Sequence, residues 1–241
     1  MKLNKKKTIE FDILTIFPRI FDSYVNESIL GRAQRSNLIR VRTFDLRKFT
    51  TDKRQSVDDL PYGGGAGMVL MAEPILKGIE KIRKISKVPA RKMKTVIFSA
   101  KGKQFEQKMA YEWAKKYEKI ILISGRYEGI DERVVQISKA EEVSVGPYVL
   151  TDGDVAAMAV ISAVARLAPG VINPKSLKEE SHFNLLSSKE ARVVAGDLEY
   201  PHYTRPETIN WKKKRYRVPG ILLSGNHKNI EEWRKENSSS I

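Results

Sequence analysis

The sequence predicts an α/β protein with a mostly parallel β-sheet, because apolar strand-like runs alternate with helical patterns along most of its length. The strand-like runs are short and rich in β-branched residues, and they are Phe11–Phe17, Ile39–Phe44, Thr95–Ser99, Lys119–Ser124 and Glu142–Val145. The helical patterns lie between them, at Ile20–Ser36, Ala72–Ile85, Phe105–Lys116, Glu132–Lys139 and Asp154–Leu167. Strands that alternate with helices in this way favour a sheet covered by helices on both faces.

The last of these helices is rich in alanine. Asp154 is predicted to cap its N-terminus, and Pro169-Gly170 is predicted to end it. Small side chains let another element approach closely, which predicts deep packing or a subunit contact, although the high helix propensity of alanine explains them equally well. The apolar run Val155–Leu167 is too short to cross a bilayer.

The composition divides the chain into three parts. Residues 1–172 contain the alternating strands and helices and form the first predicted domain. Residues 173–190 are polar and mixed in charge, which predicts a connector. Residues 191–241 form a second domain that is too small for a large core of its own, so it should lean on the first domain or on a partner.

Charge and composition narrow the classes of function. The formal net charge is +15, which favours a polyanionic partner such as nucleic acid, with plain solubility as the alternative. The absence of cysteine excludes disulfides and thiolate chemistry, and the three histidines have no metal-ligand spacing. The basic N-terminus is not followed by the apolar segment of a signal peptide, so we expect a cytoplasmic protein without membrane contacts.

Three segments lead out of predicted strands and combine glycine with polar or aromatic residues. They are Thr95–Gly102, Gly125–Arg133 and Ser144–Asp154. Open α/β sheets bind ligands at the carboxyl ends of their strands, so these segments predict a ligand site. Ordinary strand-to-helix turns are the alternative, and they would explain any one segment alone.

The segment Asp58–Met68 contains four glycines after Pro61-Tyr62, which offer bare backbone amides to an anion or a flat base. It lacks the lysine of a phosphate-binding P-loop and the third glycine of a dinucleotide fingerprint, which disfavours a nicotinamide oxidoreductase. A mobile surface loop is the alternative.

The C-terminal part contains acidic and basic clusters. Glu179–Phe183 places paired carboxylates beside His182, which suggests proton transfer, although a solvated acidic patch is the alternative. Tyr200–Pro206 and Trp211–Arg217 interleave cations with aromatic rings, a pattern typical of nucleic-acid binding, with a solvated charge run as its competitor.

Together these motifs resemble the bacterial tRNA (guanine-N1)-methyltransferases, the TrmD family of the SPOUT superfamily. The resemblance extends from Phe11 to Arg234, with motifs in matching order and spacing. Its most specific parts are Pro61–Gly65, Gly125–Arg133, Pro201–Pro206 and Leu223–His227.

The resemblance implies a homodimer in which the first domain contains a deep trefoil knot and the second is mainly helical and grips tRNA. The knot loops would bind S-adenosylmethionine, whose methyl group the family transfers to N1 of guanine 37 beside the anticodon, with Mg²⁺ assisting. The cofactor-binding residues would be Phe98, Ser99, Ala100, Gly125, Tyr127, Gly129, Val145, Gly146, Tyr148, Val149, Leu150 and Gly153.

The resemblance also assigns roles to individual side chains. Glu180 would be the general base, Arg166 the catalytic arginine, and Glu128 would lie close to guanine and the methyl donor. The site would be shared between two chains, with the connector of one chain over the knot of the other. Contacts with tRNA would come from Tyr62, Gly63, Gly64, His202, Tyr203 and Arg205.

This sequence departs from the family pattern at several of these positions. The usual aspartate base is Glu180 here, so Glu179 and His182 remain alternative bases. Four further departures are Ala100, Pro147, the Asp152–Asp154 segment and the longer stretch Leu185–Asp197. Two alternatives to the leading function are a non-catalytic RNA-binding protein with the same fold and a methyltransferase acting on ribosomal RNA.

Overall fold

The structure is a computed structural model that describes residues 8–173 and 200–238. Its strands are β1 (Ile9–Thr15), β2 (Ile39–Asp45), β3 (Asp58–Asp59), β4 (Val69–Leu70), β5 (Met93–Gln104), β6 (Lys119–Ile123) and β7 (Glu141–Ser144). Five of them form a sheet in the order β2-β1-β6-β5-β7, in which every neighbouring pair is parallel. The predicted α/β class with a mostly parallel sheet is therefore confirmed.

The helices of the first unit lie between these strands. They are α1 (Asp22–Val25), α2 (Ser28–Arg35), α3 (Ala72–Ile85), α4 (Gln107–Lys116), α5 (Arg133–Ser138) and α6 (Gly153–Ala165). The predicted bounds of α3 are confirmed. The single helix predicted over Ile20–Ser36 is wrong, because Glu27 is extended and Ser28 has a φ of 48°, which interrupts the helix between α1 and α2.

The core lies on both faces of the sheet. Alternate side chains of β6 point to opposite faces, and all five of its residues are buried. On one face Ile120 and Leu122 lie in the same buried cluster as side chains of α4 and α6. On the other face Ile123 lies with side chains of α3 and α5. Helices therefore cover both faces, as the alternation of elements predicts.

A charged network is buried across β1, β2 and β6. Lys119 is fully buried, and its Nζ donates to Asp12 Oδ2 at 2.6 Å and to Glu10. Arg42 Nε donates to Asp12 Oδ1 at 2.7 Å, and this hydrogen bond raises the pKa of Arg42. Because each charge has a partner, the network is compatible with burial, whereas loss of one partner would cost about 3–5 kcal/mol.

The N-terminus of α6 differs from the prediction. Asp152, not Asp154, is the N-cap residue, since it has an extended backbone and its Oδ1 accepts from the amides of Asp154 at 2.9 Å and Val155 at 3.3 Å. Asp154 instead lies buried in the first helical turn. The predicted deep packing is confirmed, because several residues of α6 are buried, including Ala156, Ala157 and Ala165. Among the described residues, no helix combines the length and apolarity needed to span a membrane.

Contacts along the chain separate residues 1–172 from a second unit, residues 173–241. The described part of that unit contains β8 (Thr208–Trp211), β9 (Lys214–Arg217), α7 (Gly220–Leu223) and α8 (His227–Glu236). The expectation of a mainly helical domain is thus incomplete, because β8 and β9 form an antiparallel hairpin. Lys212 and Lys213 make its turn with φ angles of 46° and 65°. The predicted boundary at residue 190 lies outside the described residues.

Candidate functional site

Three segments line one cavity of about 590 Å³, one of them within the C-terminal half of β5 and the other two directly after β6 and β7. We call them loop A (Phe98–Gly102), loop B (Gly125–Gly129) and loop C (Val145–Gly153). All the residues predicted to bind the cofactor line this cavity, namely Phe98, Ser99, Ala100, Gly125, Tyr127, Gly129, Val145, Gly146, Tyr148, Val149, Leu150 and Gly153. Residues distant in the sequence thus meet at one edge of the sheet, as the pattern of strand ends predicts.

Loop A is part of a strand. The sequence predicts that the strand ends at Ser99, whereas β5 continues to Gln104 with an irregular register between Phe98 and Lys103. Gly102 allows this path, because a Cβ there would lie 2.5 Å from the amide nitrogen of Val143. The strand therefore bends beside the cavity and rejoins β7 beyond it.

Loop B is held by the short strand β4. The Gly129 amide donates to the Arg126 carbonyl at 3.0 Å, which closes a tight turn in which Tyr127 has a φ of 56°. The carbonyl of Gly129 accepts from the amide of Leu70 at 2.9 Å, and the Leu70 carbonyl accepts from Asp131 at 3.0 Å. These bonds fix the backbone of loop B along the wall of the cavity.

Loop C contacts loop B through backbone. The amide of Gly153 donates to the carbonyl oxygen of Gly125 at 2.9 Å. A Cβ on Gly153 would lie 2.8 Å from the Gly125 nitrogen and 3.0 Å from the Cα of Ser124, so a side chain is excluded there. Within loop C the ring of Tyr148 covers Gly146, and its hydroxyl donates to the carbonyl of Val145 at 3.1 Å.

Arg126 also joins loops B and C. Its Nη2 donates to Asp152 Oδ2 at 3.0 Å, and its guanidinium lies 4.4 Å from the centre of the Phe17 ring. Sequence reasoning missed this pair, although both residues lie inside motifs that it singled out. Asp152 therefore has two roles, as the N-cap of α6 and as the partner of a cavity-lining arginine.

Asp154 lies behind the cavity with a fully buried side chain. Its Oδ1 accepts from the Thr15 hydroxyl at 2.7 Å, and its Oδ2 has no hydrogen-bond partner among the described residues. Burial raises the pKa of Asp154, and the nearby charge of Asp152 raises it further, whereas Ser124, Thr15 and Arg126 oppose these effects. The protonated form of this carboxyl group is therefore more favourable in the folded protein than in the unfolded chain.

Glu128 lies at the rim of the cavity with an exposed side chain. Its amide donates to the Met68 carbonyl at 3.0 Å, which brings it beside the glycine-rich loop. A Cβ on Gly67 would lie 2.2 Å from Glu128 Oε1, so only glycine leaves room for the carboxylate in this position. The sequence did not predict this contact between two of its motifs.

The predicted tRNA contacts of the first unit, Tyr62, Gly63 and Gly64, do not line the first cavity. Tyr62 is fully exposed and lines a second cavity of about 1170 Å³. Gly63 and Gly64 have positive φ angles, and nothing lies within 4 Å of the point where a Cβ on either would sit, so they face open space. Glu132 lines both cavities, which places the two beside each other.

The two remaining catalytic candidates are not brought to the cavity within the described chain. Arg166 caps the C-terminus of α6, whereas Gly153 begins this helix at the cavity. At a rise of 1.5 Å per residue the two lie about 20 Å apart along the helix axis. Glu180, with its neighbours Glu179 and His182, lies outside the described residues.

The predicted tRNA contacts of the second unit lie on one extended segment. His202 stacks on Tyr200 with ring centres 4.6 Å apart, and the ring of Tyr203 lies 6.4 Å from that of Trp233 in α8. The side chains of His202, Tyr203 and Arg205 are exposed. They are therefore available to a partner.

Comparison with known proteins gives a consistent result. The family model described as tRNA (Guanine-1)-methyltransferase TrmD matches residues 9–240. The chain is similar to the tRNA (guanine-N(1)-)-methyltransferase of Ruminiclostridium cellulolyticum, with 45% identity over 95% of this chain and 91% of the relative. Proteins of the same name from Carboxydothermus hydrogenoformans and Clostridioides difficile are 46% and 43% identical, over 95% and 97% of this chain and 83% and 94% of the relatives.

Proposed function

Because the chain belongs to the TrmD family of tRNA (guanine-1)-methyltransferases, we propose that it methylates N1 of guanine 37 in tRNA, with S-adenosylmethionine as donor. The chain is a tRNA (guanine-N1)-methyltransferase. We propose the position that it methylates in tRNA, the site of the methyl donor and the roles of individual residues. The observation that supports it most is the single cavity formed by loops A, B and C. A tRNA substrate also favours a cytoplasmic location.

The cavity suits S-adenosylmethionine. Its volume of about 590 Å³ lies within the usual range of small-molecule sites. Its lining includes several glycines and small or apolar residues beside charged side chains, so backbone amides and carbonyls are available to a purine and a ribose. The sulfonium of the donor supplies an electrophilic methyl group. Glu128 at the rim offers a negative charge close to where that cation would lie.

The acceptor nitrogen must lose a proton before it is a good nucleophile. A carboxylate can take this proton, while a cation stabilises the charge that collects on guanine O6. We assign the first role to Glu180 and the second to Arg166. Glu179 and His182 are the alternative bases, because the family aspartate is a glutamate here.

The position of Arg166 supports a homodimer with shared sites. Arg166 and the cofactor loops lie at opposite ends of α6, about 20 Å apart. An arginine side chain cannot cover that distance, so we infer that Arg166 acts in the cavity of a second copy. We also propose the trefoil knot for this chain, and the close approach of Gly153 to Gly125 supports it.

The family resemblance implies that Mg²⁺ assists the reaction. The described residues contain no group of three or more His, Asp or Glu side chains that could hold a metal ion. No residue is therefore assigned to a magnesium ion, and no step is assigned to one. In this proposal the carboxylate base removes the proton.

The test is transfer of labelled methyl groups from S-adenosylmethionine to unmodified tRNA transcripts that carry G or A at position 37. We expect label only with G37, mapping to N1-methylguanine. Binding of tRNA without transfer would favour the non-catalytic alternative, and label in ribosomal RNA instead of tRNA would favour the ribosomal RNA methyltransferase. Glu180→Gln and Arg166→Ala should abolish transfer, and a normal rate in both would overturn their roles.

The base is identified by a matched pair of variants. Glu179→Gln removes the same charge one residue earlier than Glu180→Gln. If Glu180 is the base, only its variant loses transfer by several orders of magnitude, while affinity for tRNA is similar in both. The opposite result would assign the base to Glu179.

A further inference from the structure

Lys101 lies in loop A and forms two ion pairs beside the cavity that loops A, B and C line. We propose that these ion pairs hold loop A in the position in which it binds the methyl donor, so that Lys101 is a positioning residue for the reaction. This inference rests on the proposed function, because that function names S-adenosylmethionine as the ligand of the cavity. It concerns affinity for the donor and not the chemical step.

The two ion pairs join loop A to two other elements of the first unit. Lys101 Nζ donates to Glu132 Oε2 at 2.7 Å and lies 3.5 Å from Glu142 Oε1. Glu132 lies at the start of α5, the helix that follows loop B, and Glu142 lies in β7, the strand that precedes loop C. All three residues line the cavity. One ammonium group thus connects the segments that carry the three loops.

The sheet gives loop A little other support. β5 pairs with β7 up to Phe98 and again from Lys103, and the register shifts between these two stretches. The pairing of β5 with β6 ends earlier, at Ile97. Ser99–Gly102 therefore have no strand partner in the described sheet. Lys101 is the only charged residue of loop A, so its side chain is the one that can hold this stretch by ion pairs.

The exposure of these groups fits a contact that opens and closes. The side chains of Lys101 and Glu132 are 61% and 57% exposed. Exposed ion pairs contribute little to the stability of a whole fold, and salt screens them. They can still decide between two positions of a short loop. The apparent affinity of a site falls with the fraction of molecules in which the site is formed.

Direct binding of the donor by Lys101 is the alternative role. The donor carries a carboxylate, which an ammonium group could bind. However, Glu132 and Glu142 already flank Lys101, and both would repel a third carboxylate. The hydrogen bond with Glu132 also raises the pKa of Lys101, as expected for an ammonium group that is already paired. The ion pairs therefore favour positioning over direct binding.

Removal of the charge of Lys101 is the first test. Lys101→Met keeps most of the length of the side chain, and we expect it to raise the Kd for S-adenosylmethionine about threefold to fivefold, since exposed ion pairs are lost. Its kcat at saturating donor and tRNA should equal that of the wild type. Lys103→Met is the matched control, because Lys103 is exposed on the same strand and lines neither cavity. Equal effects of both variants would overturn the role of Lys101.

A ligand without a carboxylate distinguishes positioning from direct binding. 5′-Methylthioadenosine shares the adenosine part of the donor but lacks its amino acid part. If Lys101 positions loop A, Lys101→Met should weaken binding of both ligands by the same factor. A loss of affinity for S-adenosylmethionine alone would mean that Lys101 binds the carboxylate of the donor, and it would overturn the proposal.

An exchange of charges tests the ion pair itself. Lys101→Glu should weaken donor binding more than Lys101→Met, because three carboxylates then lie together. Combining Lys101→Glu with Glu132→Lys re-forms a pair of opposite charges and should restore the Kd to within about twofold of the wild type. A double variant that binds the donor as weakly as Lys101→Glu would contradict the proposal.

Hydrogen exchange of the free protein separates this inference from the proposed function. In the peptide that contains Ser99–Gly102, backbone amides should exchange faster in Lys101→Met than in the wild type or in Lys103→Met. Unchanged exchange would overturn the positioning role whether or not the protein methylates tRNA, and so would faster exchange with unchanged affinity for the donor. If exchange and donor affinity both respond to Lys101→Met but no methyl group reaches G37, only the proposed reaction fails.

Discussion

Gly153 and Gly125 touch through their backbones, with the amide of the first donating to the carbonyl oxygen of the second at 2.9 Å. The contact joins the loops that follow β6 and β7, and both residues line the proposed cofactor cavity. It leaves no space for a Cβ at Gly153, which would lie 2.8 Å from the Gly125 nitrogen. The width of the cavity therefore depends on a glycine at this position.

Gly153→Ala should weaken S-adenosylmethionine binding by about tenfold or more, because the two loops must separate to admit the methyl group. Calorimetric titration of the donor measures this effect. Gly220→Ala is the control, since Gly220 begins α7 and nothing lies within 4 Å of its Cβ position. Unchanged affinity in Gly153→Ala would mean that the loop contact does not shape the donor site.

Gly67 allows a test of Glu128 that leaves its carboxylate in place. Gly67→Ala should push the Glu128 side chain aside and lower the rate of methyl transfer about tenfold or more, because misplacement by 1 Å has large effects. Affinity for S-adenosylmethionine should fall less than the transfer rate, because the other residues that line the cavity keep their positions. Single-turnover transfer and donor titration together separate the two effects.

The control for this variant is Gly225→Ala. Gly225 has a φ of 71°, close to the 79° of Gly67, so alanine brings similar backbone strain at both positions. Gly225 has nothing within 4 Å of its Cβ position and is not among the residues assigned to the site. If both variants lose activity equally, backbone strain and not displacement of Glu128 is responsible.

Asp152 caps the N-terminus of α6 and forms an ion pair with Arg126. Two substitutions separate the contributions of these two interactions to stability. Asp152→Ala removes both and should lower the free energy of unfolding by about 1–2 kcal/mol. Asp152→Asn keeps a good N-cap but removes the charge beside Arg126, so its free energy of unfolding should decrease less than that of Asp152→Ala. Thermal unfolding at neutral pH measures both, and equal losses would assign the whole effect to the ion pair.

How far the sequence predicts this structure depends on the range of the interactions. The strands of the sheet are predictable because each is a local apolar run, and the meeting of loops B and C follows from parallel strands, β6 and β7, that end at one edge. The register that carries β5 past its predicted end at Ser99 depends on pairing with β7, and three further elements of the chain, α4, β6 and α5, lie between these two strands. A local pattern cannot contain that information.

The N-terminus of α6 also depends on contacts between distant segments, which a local sequence pattern cannot predict. Asp152 and Asp154 are both good capping residues, and their sequence positions do not decide between them. The choice follows from Thr15 in β1 and Arg126 in loop B, which hold Asp154 and Asp152 respectively. Contacts between distant segments also place Gly67 against Glu128, which two separate motifs could not reveal.

The buried carboxyl group of Asp154 predicts a pH dependence of stability. Burial raises its pKa in the folded protein, so the fold binds this proton more tightly than the unfolded chain. The resulting stabilisation is complete below the ordinary pKa of aspartate and is lost as pH rises through the raised value. Relative to Asp154→Asn, the wild type should therefore lose stability from about pH 4 upward.

Thermal unfolding of both proteins across this range checks the prediction. The difference in unfolding free energy should move steadily in favour of the Asn variant with rising pH and become constant once the carboxyl group is ionised. Thr15 can still donate to the amide oxygen of the variant, so the comparison isolates the charge. A difference that does not depend on pH would show that Asp154 titrates normally.

The last prediction concerns the sharing of sites between two chains. If Arg166 of one chain completes the cavity that holds Glu128 of the other, a dimer with Arg166→Ala in one chain and Glu128→Gln in the other has one intact site. The second site of this dimer contains both substitutions, Arg166→Ala and Glu128→Gln. Each variant alone should be inactive as a homodimer, because every site then lacks one of the two side chains.

Co-expression with two different affinity tags and tandem purification yields the mixed dimer. Its kcat should be about half that of the wild type, since one of two sites is complete. A wild-type chain paired with an Arg166→Ala, Glu128→Gln double variant is the control. Because each of its sites then lacks one residue, this pairing should be inactive under sharing but half active if each chain builds its own site. The two mixed dimers contain the same substitutions and differ only in how these are divided between the chains. A difference in their activities therefore shows whether Arg166 acts in the cavity of its own chain or in that of its partner.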